Sequence, residues 1–185
     1  NLLMKEMADY LCNKQHWSYR QSEEAFRTLK QAAECHAWKD LYDANQRVYD
    51  ILTTFTTVRP EEGQIERTLE YIDWEHPYNN DFAVAEEVCV HREGTKYETR
   101  RPDIVIYVNG IALAIIELKR AAVSVAEGIR QNYRHQQDGE IPGYFSTVQL
   151  VLAGNPSEGL HYGTIKTPEK HFVRWKEPVG HADNA

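Results

Sequence analysis

The chain has 185 residues, a formal net charge of −7, and 42% hydrophobic against 26% charged residues, the proportions of an ordinary globular domain rather than a disordered or fibrous chain. Its acidic balance excludes a protein that holds nucleic acid by overall charge alone, so any role on DNA must rest on local chemistry. No apolar run reaches the length of a membrane span, and Cys12, Cys35 and Cys89 are odd in number and widely spaced, which argues for a reducing, cytoplasmic setting and against a disulfide framework or structural zinc site.

In chain order, the first third reads as helix. Leu2–Cys12 carries Leu2, Leu3, Met7, Tyr10 and Leu11 near helical spacing. Ser22 is expected to cap a second helix running to Cys35, with Ala25, Phe26, Leu29, Ala32 and Ala33 on one stripe. A third helix is expected over Trp38–Phe55. Arg59-Pro60-Glu61-Glu62-Gly63 is a loop, Ile65–Trp74 is strand-like, and His76-Pro77-Tyr78-Asn79-Asn80 breaks it. Phe82–Val90 alternates as a core strand, with Phe82, Val84, Val88 and Val90 on one face and Glu86 interrupting, and 91–101 reads as a polar turn or loop.

Two β-branched runs follow, Ile104–Val108 and Ile111–Lys119, joined by Asn109-Gly110, a strong hairpin signal. Both faces of these runs are apolar, which suits central strands. Ser124-Val-Ala-Glu127 reads as a capping box opening a helix to about Gln137. Thr147–Ala153 and Phe172–Trp175 read as further strands. The sum is an α/β fold, a mixed sheet flanked by helices. Three parts are expected: a helical segment at 1–60, a core at 61–178 and a tail at 179–185. The helices show packing stripes and no chemistry of their own, and Trp17, Trp38, Trp74 and Trp175 read as core aromatics.

The apolar hairpin ends in charge. Glu117 and Lys119 are two residues apart on a strand and leave by the same face, while Leu118 is expected to point into the core. Asp103 starts the partner strand. Two carboxylates brought together repel unless a cation lies between them. A hard divalent cation, Mg²⁺ with Mn²⁺ as a substitute, suits such oxygen ligands and can activate water and stabilise charge on a phosphate. A lone Glu-x-Lys is usually no more than a charged strand end; here it ends an apolar strand opposite an Asp. The register matters. An even pairing of Val108 with Ile111, carried through, would set Asp103 on the opposite face from Glu117. An odd register is therefore predicted, with Gly110 left-handed in a G1 bulge, Tyr107 opposite Ile111 and Asp103 opposite Ile115.

With Pro102-Asp103, Glu117-Leu118-Lys119 and the text "RPDIVIYVNGIALAIIELKRA", the sequence resembles the PD-(D/E)xK nuclease superfamily. More narrowly it resembles the N-terminal nuclease domain of the restriction (R) subunit of type I restriction-modification enzymes. "NNDFAVAEEV" upstream and "IPGYFSTVQLVLAGNPSEGLHYGT" downstream carry the likeness over most of the chain. The resemblance implies a restriction-endonuclease-like core and Mg²⁺-dependent cleavage of double-stranded DNA. It implies Asp103 and Glu117 as metal ligands, with Glu87 (or Glu86) a candidate third acid, and Lys119 as the catalytic lysine. It also implies an ATP-driven motor domain in the same polypeptide, absent here, and modification and specificity subunits as partners. The chain thus reads as a fragment. The family's Gln-x-x-x-Tyr motif is met by Gln131, but His135 stands at the Tyr position; the two share a helix face, and Tyr133 lies off it. A catalytically silent docking domain of the same complex and a freestanding nuclease of the superfamily remain the competing readings.

Overall fold

A computed structural model describes residues 2–34, 40–54, 56–58 and 67–177. Three amphipathic helices open the chain: α1 (Met4–Asn13), α2 (Tyr19–Ala33) and α3 (Leu41–Thr53). The cap of α2 is Ser18, not Ser22. The Ser18 hydroxyl accepts from the Gln21 backbone N–H while the Gln21 side chain accepts from the Ser18 N–H, a reciprocal box with Gln in place of the more familiar Glu. Ser22 lies one turn in and hydrogen-bonds back to the Ser18 carbonyl. Asp40 caps α3 through the N–H groups of Tyr42 and Asp43. The predicted ends of these helices at Cys35, Trp38 and Phe55, the Arg59–Gly63 loop, the boundary at 60/61 and the tail at 179–185 lie outside the described residues.

A small ladder, β1 (Thr56–Val58) with β2 (Arg67–Leu69), leads to the main sheet. That sheet's strands among the described residues are β3 (Phe82–Glu86), β6 (Ile104–Val108), β7 (Ile111–Leu118), β8 (Leu150–Asn155), β9 (Gly159–Gly163) and β10 (Val173–Arg174). They lie in the order β10-β9-β8-β7-β6-β3. Only β7 and β8 run parallel; the other neighbours are antiparallel. The crossover between β7 and β8 holds α4 (Val125–His135) and the short α5 (Pro142–Phe145). Residues 91–101, expected as a turn or loop, form the far end of a hairpin whose two-residue strands are β4 (Val90–His91) and β5 (Thr99–Arg100). The expected strand Phe82–Val90 is therefore two strands, broken where Glu87 takes a left-handed φ of 50°. Phe82 and Val84 are exposed on the edge strand rather than buried as predicted. The alternation was real, but an edge strand has a neighbour on one side only.

Two cores hold the sheet. Val105, Tyr107, Ile115 and Val151 pack with Ile141, Phe145 and Val148 from the α4–β8 connection and with Leu41 of α3. At the other end Val108 and Ile111 join Met7, Leu11, Leu29 and Val48 of the helices. Trp17 is buried here, as expected, whereas Trp74 and Trp175 are exposed. The hairpin turn itself plugs into this second core. Asn109 (φ 50°) and Gly110 (φ 77°) are both left-handed, giving a two-residue type I′ turn. Asn109 is buried and binds the Tyr71 carbonyl, Asn80 and the Asp81 N–H, each at 2.8 Å. Leu3 N–H donates to the Gly110 carbonyl at 2.7 Å, and a β-carbon on Gly110 would stand 2.5 Å from the Leu3 carbonyl oxygen. Only glycine meets both demands.

Candidate active site

The register of β6 on β7 places the acids. At the turn the pairing is even, Val108 with Ile111 and Tyr107 with Ala112. It then shifts: Ile106 pairs with Ala114, leaving Leu113 as an extra residue on β7, and Ile104 pairs with Ile116. The predicted G1 bulge at Gly110 and the pairings Tyr107–Ile111 and Asp103–Ile115 are thus corrected. The bulge lies inside β7, because the type I′ turn already closes the hairpin without one. Its effect on parity is the one a convergent site requires. The next pair after Ile104–Ile116 sets Asp103 directly beside Glu117.

Glu117 is 2% exposed. One of its oxygens, Oε1, accepts from Lys119 Nζ at 2.6 Å, and Nζ also donates to Gln131 Oε1 at 2.9 Å. The other, Oε2, is buried with no hydrogen-bond donor among the described residues. Burial above all raises the Glu117 carboxyl above its usual range; the Lys119 hydrogen bond pulls it down and the Asp103 charge pushes it up. Asp103 accepts the Leu118 backbone N–H at 2.7 Å through Oδ2, which fixes its side chain across the end of β7. Lys119 continues the parallel ladder, its N–H donating to the Gly154 carbonyl at 2.8 Å. A buried carboxylate oxygen without a donor, next to a second carboxylate, is the oxygen-rich, charge-deficient place that a hard divalent cation fits. Among the described residues the acids reaching this point are two; no group of three or more His, Cys, Asp or Glu side chains converges there.

Three further residues behave differently from expectation. Leu118 is 48% exposed rather than in the core; it lines an open hollow of about 510 Å³ with Glu86, Glu87, Asp103, Lys119 and Arg120. Glu87 is exposed at the rim and paired with Arg101 at 3.5 Å. His135 does not join the Lys119 cluster by any hydrogen bond. It is buried, its Nδ1 has no partner among the described residues, and burial first, then the Arg134 charge, pushes its pKa down to about 4. Tyr133 is exposed, off that helix face as predicted.

The depressed pKa has a sign that can be checked. The unfolded His takes up a proton below about 6.5, whereas the folded one stays neutral until about 4. The unfolded state therefore binds more protons in that window, and stability is lost as pH falls through it. His135→Leu is expected to flatten the drop in melting temperature between pH 6.5 and 4; thermal melts across that range, wild type against variant, measure it. Parallel curves would sink the assignment.

Sequence reasoning missed Gly128. A β-carbon there would lie 3.1 Å from Ala153 Cβ and 3.5 Å from the Cγ atoms of both Glu117 and Lys119. Its absence lets α4 press close enough on β7 and β8 for Gln131, one turn later, to reach Lys119. A glycine inside a helical pattern was the available signal. The predicted capping box of α4 is half present: Ser124 accepts from Ala126 N–H, but Glu158 takes the Val125 N–H and Glu127 pairs with Arg130 instead.

The model of the family described as type I restriction enzyme R protein N terminus matches residues 1–170. The chain belongs to this family. Glu87, Asp103, Glu117, Lys119, Gln131 and His135 all lie within the matched span. Among curated relatives, the type I restriction enzyme HindI endonuclease subunit of Haemophilus influenzae is 29% identical over 144 residues, 74% of this chain and 13% of the relative. The SsaAORF53P endonuclease subunit of Staphylococcus saprophyticus is 30% identical over 97 residues, 52% of this chain and 10% of the relative. The SauCOLORF180P endonuclease subunit of Staphylococcus aureus is 27% identical over 121 residues, 64% and 12%. The chain thus corresponds to a small part of each relative's length. As a member of the R protein N-terminal family it has the α/β, restriction-endonuclease-like architecture expected of it, and no helix among the described residues is long and apolar enough to cross a membrane.

Proposed function

We propose that the chain is the Mg²⁺-dependent endonuclease module of a type I restriction enzyme and hydrolyses phosphodiester bonds of double-stranded DNA. The observation that carries this reading is the Asp103–Glu117 pair on one face, with a buried, unpartnered Glu117 oxygen and Lys119 held at its other oxygen. Asp103 and Glu117 would hold the cation, with Mn²⁺ able to stand in; when bound, it supplies Lewis-acid activation of water and neutralisation of phosphate charge. Glu117 and Gln131 together fix the Lys119 ammonium, so that its charge and its remaining N–H can meet a phosphate oxygen or the attacking water without reorganisation. Asp103, pinned by the Leu118 N–H, keeps one carboxylate edge at the open hollow where a phosphate enters. Glu87 stands at that rim as a candidate third acid. His135, neutral and buried beneath, supports α4.

An ATP-driven motor domain in the same polypeptide and separate modification and specificity subunits would supply DNA translocation and target choice, in the cytoplasm. The names of the relatives as endonuclease subunits and the acidic net charge of the chain support that division of labour. The test is cleavage of supercoiled DNA with ATP and Mg²⁺ by the complete complex carrying this chain. Cutting should stop with EDTA and with Asp103→Ala while ATP hydrolysis continues; equal cutting by wild type and Asp103→Ala would defeat the proposal and leave a docking role.

A further inference from the structure

The β4–β5 hairpin is an excursion of the chain between β3 and β6, at the end of the sheet that holds the acids. Its base is the site itself: Glu87, which leaves β3, donates its N–H to the Asp103 carbonyl at 2.9 Å, and β5 runs through Arg101 and Pro102 into Asp103. Residues 91–101 hold four Lys/Arg against two Glu, a local excess of positive charge in a chain of net −7.

The arm is braced at its root. Arg92 Nε donates to the Gly139 carbonyl at 2.9 Å, Glu93 N–H to the Glu140 carbonyl at 2.8 Å, and Arg100 NH2 to Glu140 at 2.9 Å. Val88 and Val90 pack into the core beneath. The tip is bare. Gly94 is left-handed (φ 75°) with nothing within 4 Å of where a β-carbon would be. Tyr97 is 96% exposed, and Lys96 has no ion pair among the described residues. A large aromatic ring left wholly in water, beside a free ammonium, on an arm fixed by ion pairs has no role in packing.

We propose that this hairpin is a DNA-gripping arm, with Lys96 on a backbone phosphate and the Tyr97 ring laid against the sugar or base of the strand leaving the site. This rests on the reading of the chain as a DNA nuclease and specifies how such a chain, acidic overall, holds its substrate. Tyr97 is six residues from Asp103, so tip and site lie within about 20 Å at extended spacing, less than one duplex turn of about 34 Å. An aromatic stacked on a base adds affinity without regard to sequence, and each phosphate contact adds salt dependence.

Tyr78 is the internal control. It is 99% exposed but stands before Phe82, which pairs with Val108 at the far end of the sheet. Binding of a labelled DNA duplex to the full chain in Ca²⁺, and cleavage with ATP and Mg²⁺ by the complete complex carrying it, are measured for wild type, the Lys96→Ala/Tyr97→Ala double variant, Tyr78→Ala and Asp103→Ala. The double variant should bind at least about tenfold more weakly, with a shallower salt dependence, and keep the wild-type melting temperature; Tyr78→Ala should bind as wild type. Equal binding by wild type and the double variant, or an equal loss in Tyr78→Ala, overturns the arm. If the arm variant binds weakly while the complex with Asp103→Ala still cuts like wild type, the site reading fails and the arm stands; a wild-type chain with no affinity for DNA overturns the arm, and the cleavage comparison alone then decides the site reading.

Discussion

Replacing Lys119 with methionine is expected to lower DNA cleavage at least about a hundredfold, the scale seen when one preorganised donor to a reacting oxygen is lost. The same change should also destabilise the fold, and the two losses can be separated. Lys119 is the cation that hydrogen-bonds Glu117, a side chain 2% exposed whose other oxygen has no donor among the described residues. Removing one member of a buried pair leaves an uncompensated charge, a cost of about 3–5 kcal/mol, or on the order of 10 °C in melting temperature for a chain of this size. The carboxyl is already raised by burial, and without the lysine it rises further. A group whose folded pKa lies above its unfolded one favours the fold below the unfolded value and loses that advantage as pH rises through the folded one. The melting deficit of Lys119→Met should therefore shrink at low pH. Adding Glu117→Gln should restore the melt at neutral pH, since the buried charge is gone, and should restore no cleavage. A Lys119→Met protein that cuts at the wild-type rate would remove the lysine from the chemistry.

The second large effect comes from register alone. Inserting one alanine between Ala114 and Ile115 sets that alanine opposite Val105, if the type I′ turn and the bulge at Leu113 hold. Every β7 residue beyond it then changes face. Glu117 moves to the side opposite Asp103, and Ile116 takes its place beneath α4. Calorimetric titration with Mn²⁺ should show cation binding fall from measurable to absent. Deleting Leu113 is the control. It removes the bulge but leaves Ile106 paired with Ala114 and Asp103 beside Glu117, so it should keep cation binding despite the packing lost where Leu113 meets the helical core. Binding retained after the insertion, in a protein that melts cooperatively, would show that the acids do not depend on register for their meeting.

Much of the candidate site was legible in the sequence because it is local. Glu117 and Lys119 share a face by strand period alone, Asn109-Gly110 forces the hairpin, and Gln131 sits on the helix that any crossover from β7 must form. The expectation that Asp103 joins them needed an odd register, and the odd step exists, though its place was misjudged. A bulge leaves no composition signal, since Leu113 is as apolar as its neighbours. Short elements were missed for similar reasons. β4 and β5 are two residues each, held by ion pairs to Glu140 rather than by any apolar alternation of their own. Phe82 and Val84 alternate as a core strand does, but β3 is an edge strand among the described residues and leaves them exposed.

By itself the sequence determined the helical opening, the apolar hairpin and the charged residues at its end, since these follow from periods of 3.6 and 2 and from the left-handed preference of Asn-Gly. Tertiary structure decided which of those charges meet. The parity of β6 on β7 set Asp103 against Glu117, and the missing side chain at Gly128 let α4 bring Gln131 onto Lys119. It also decided that His135 is a buried neutral ring and Leu118 a surface one, because burial belongs to the neighbours a residue acquires and not to the residue.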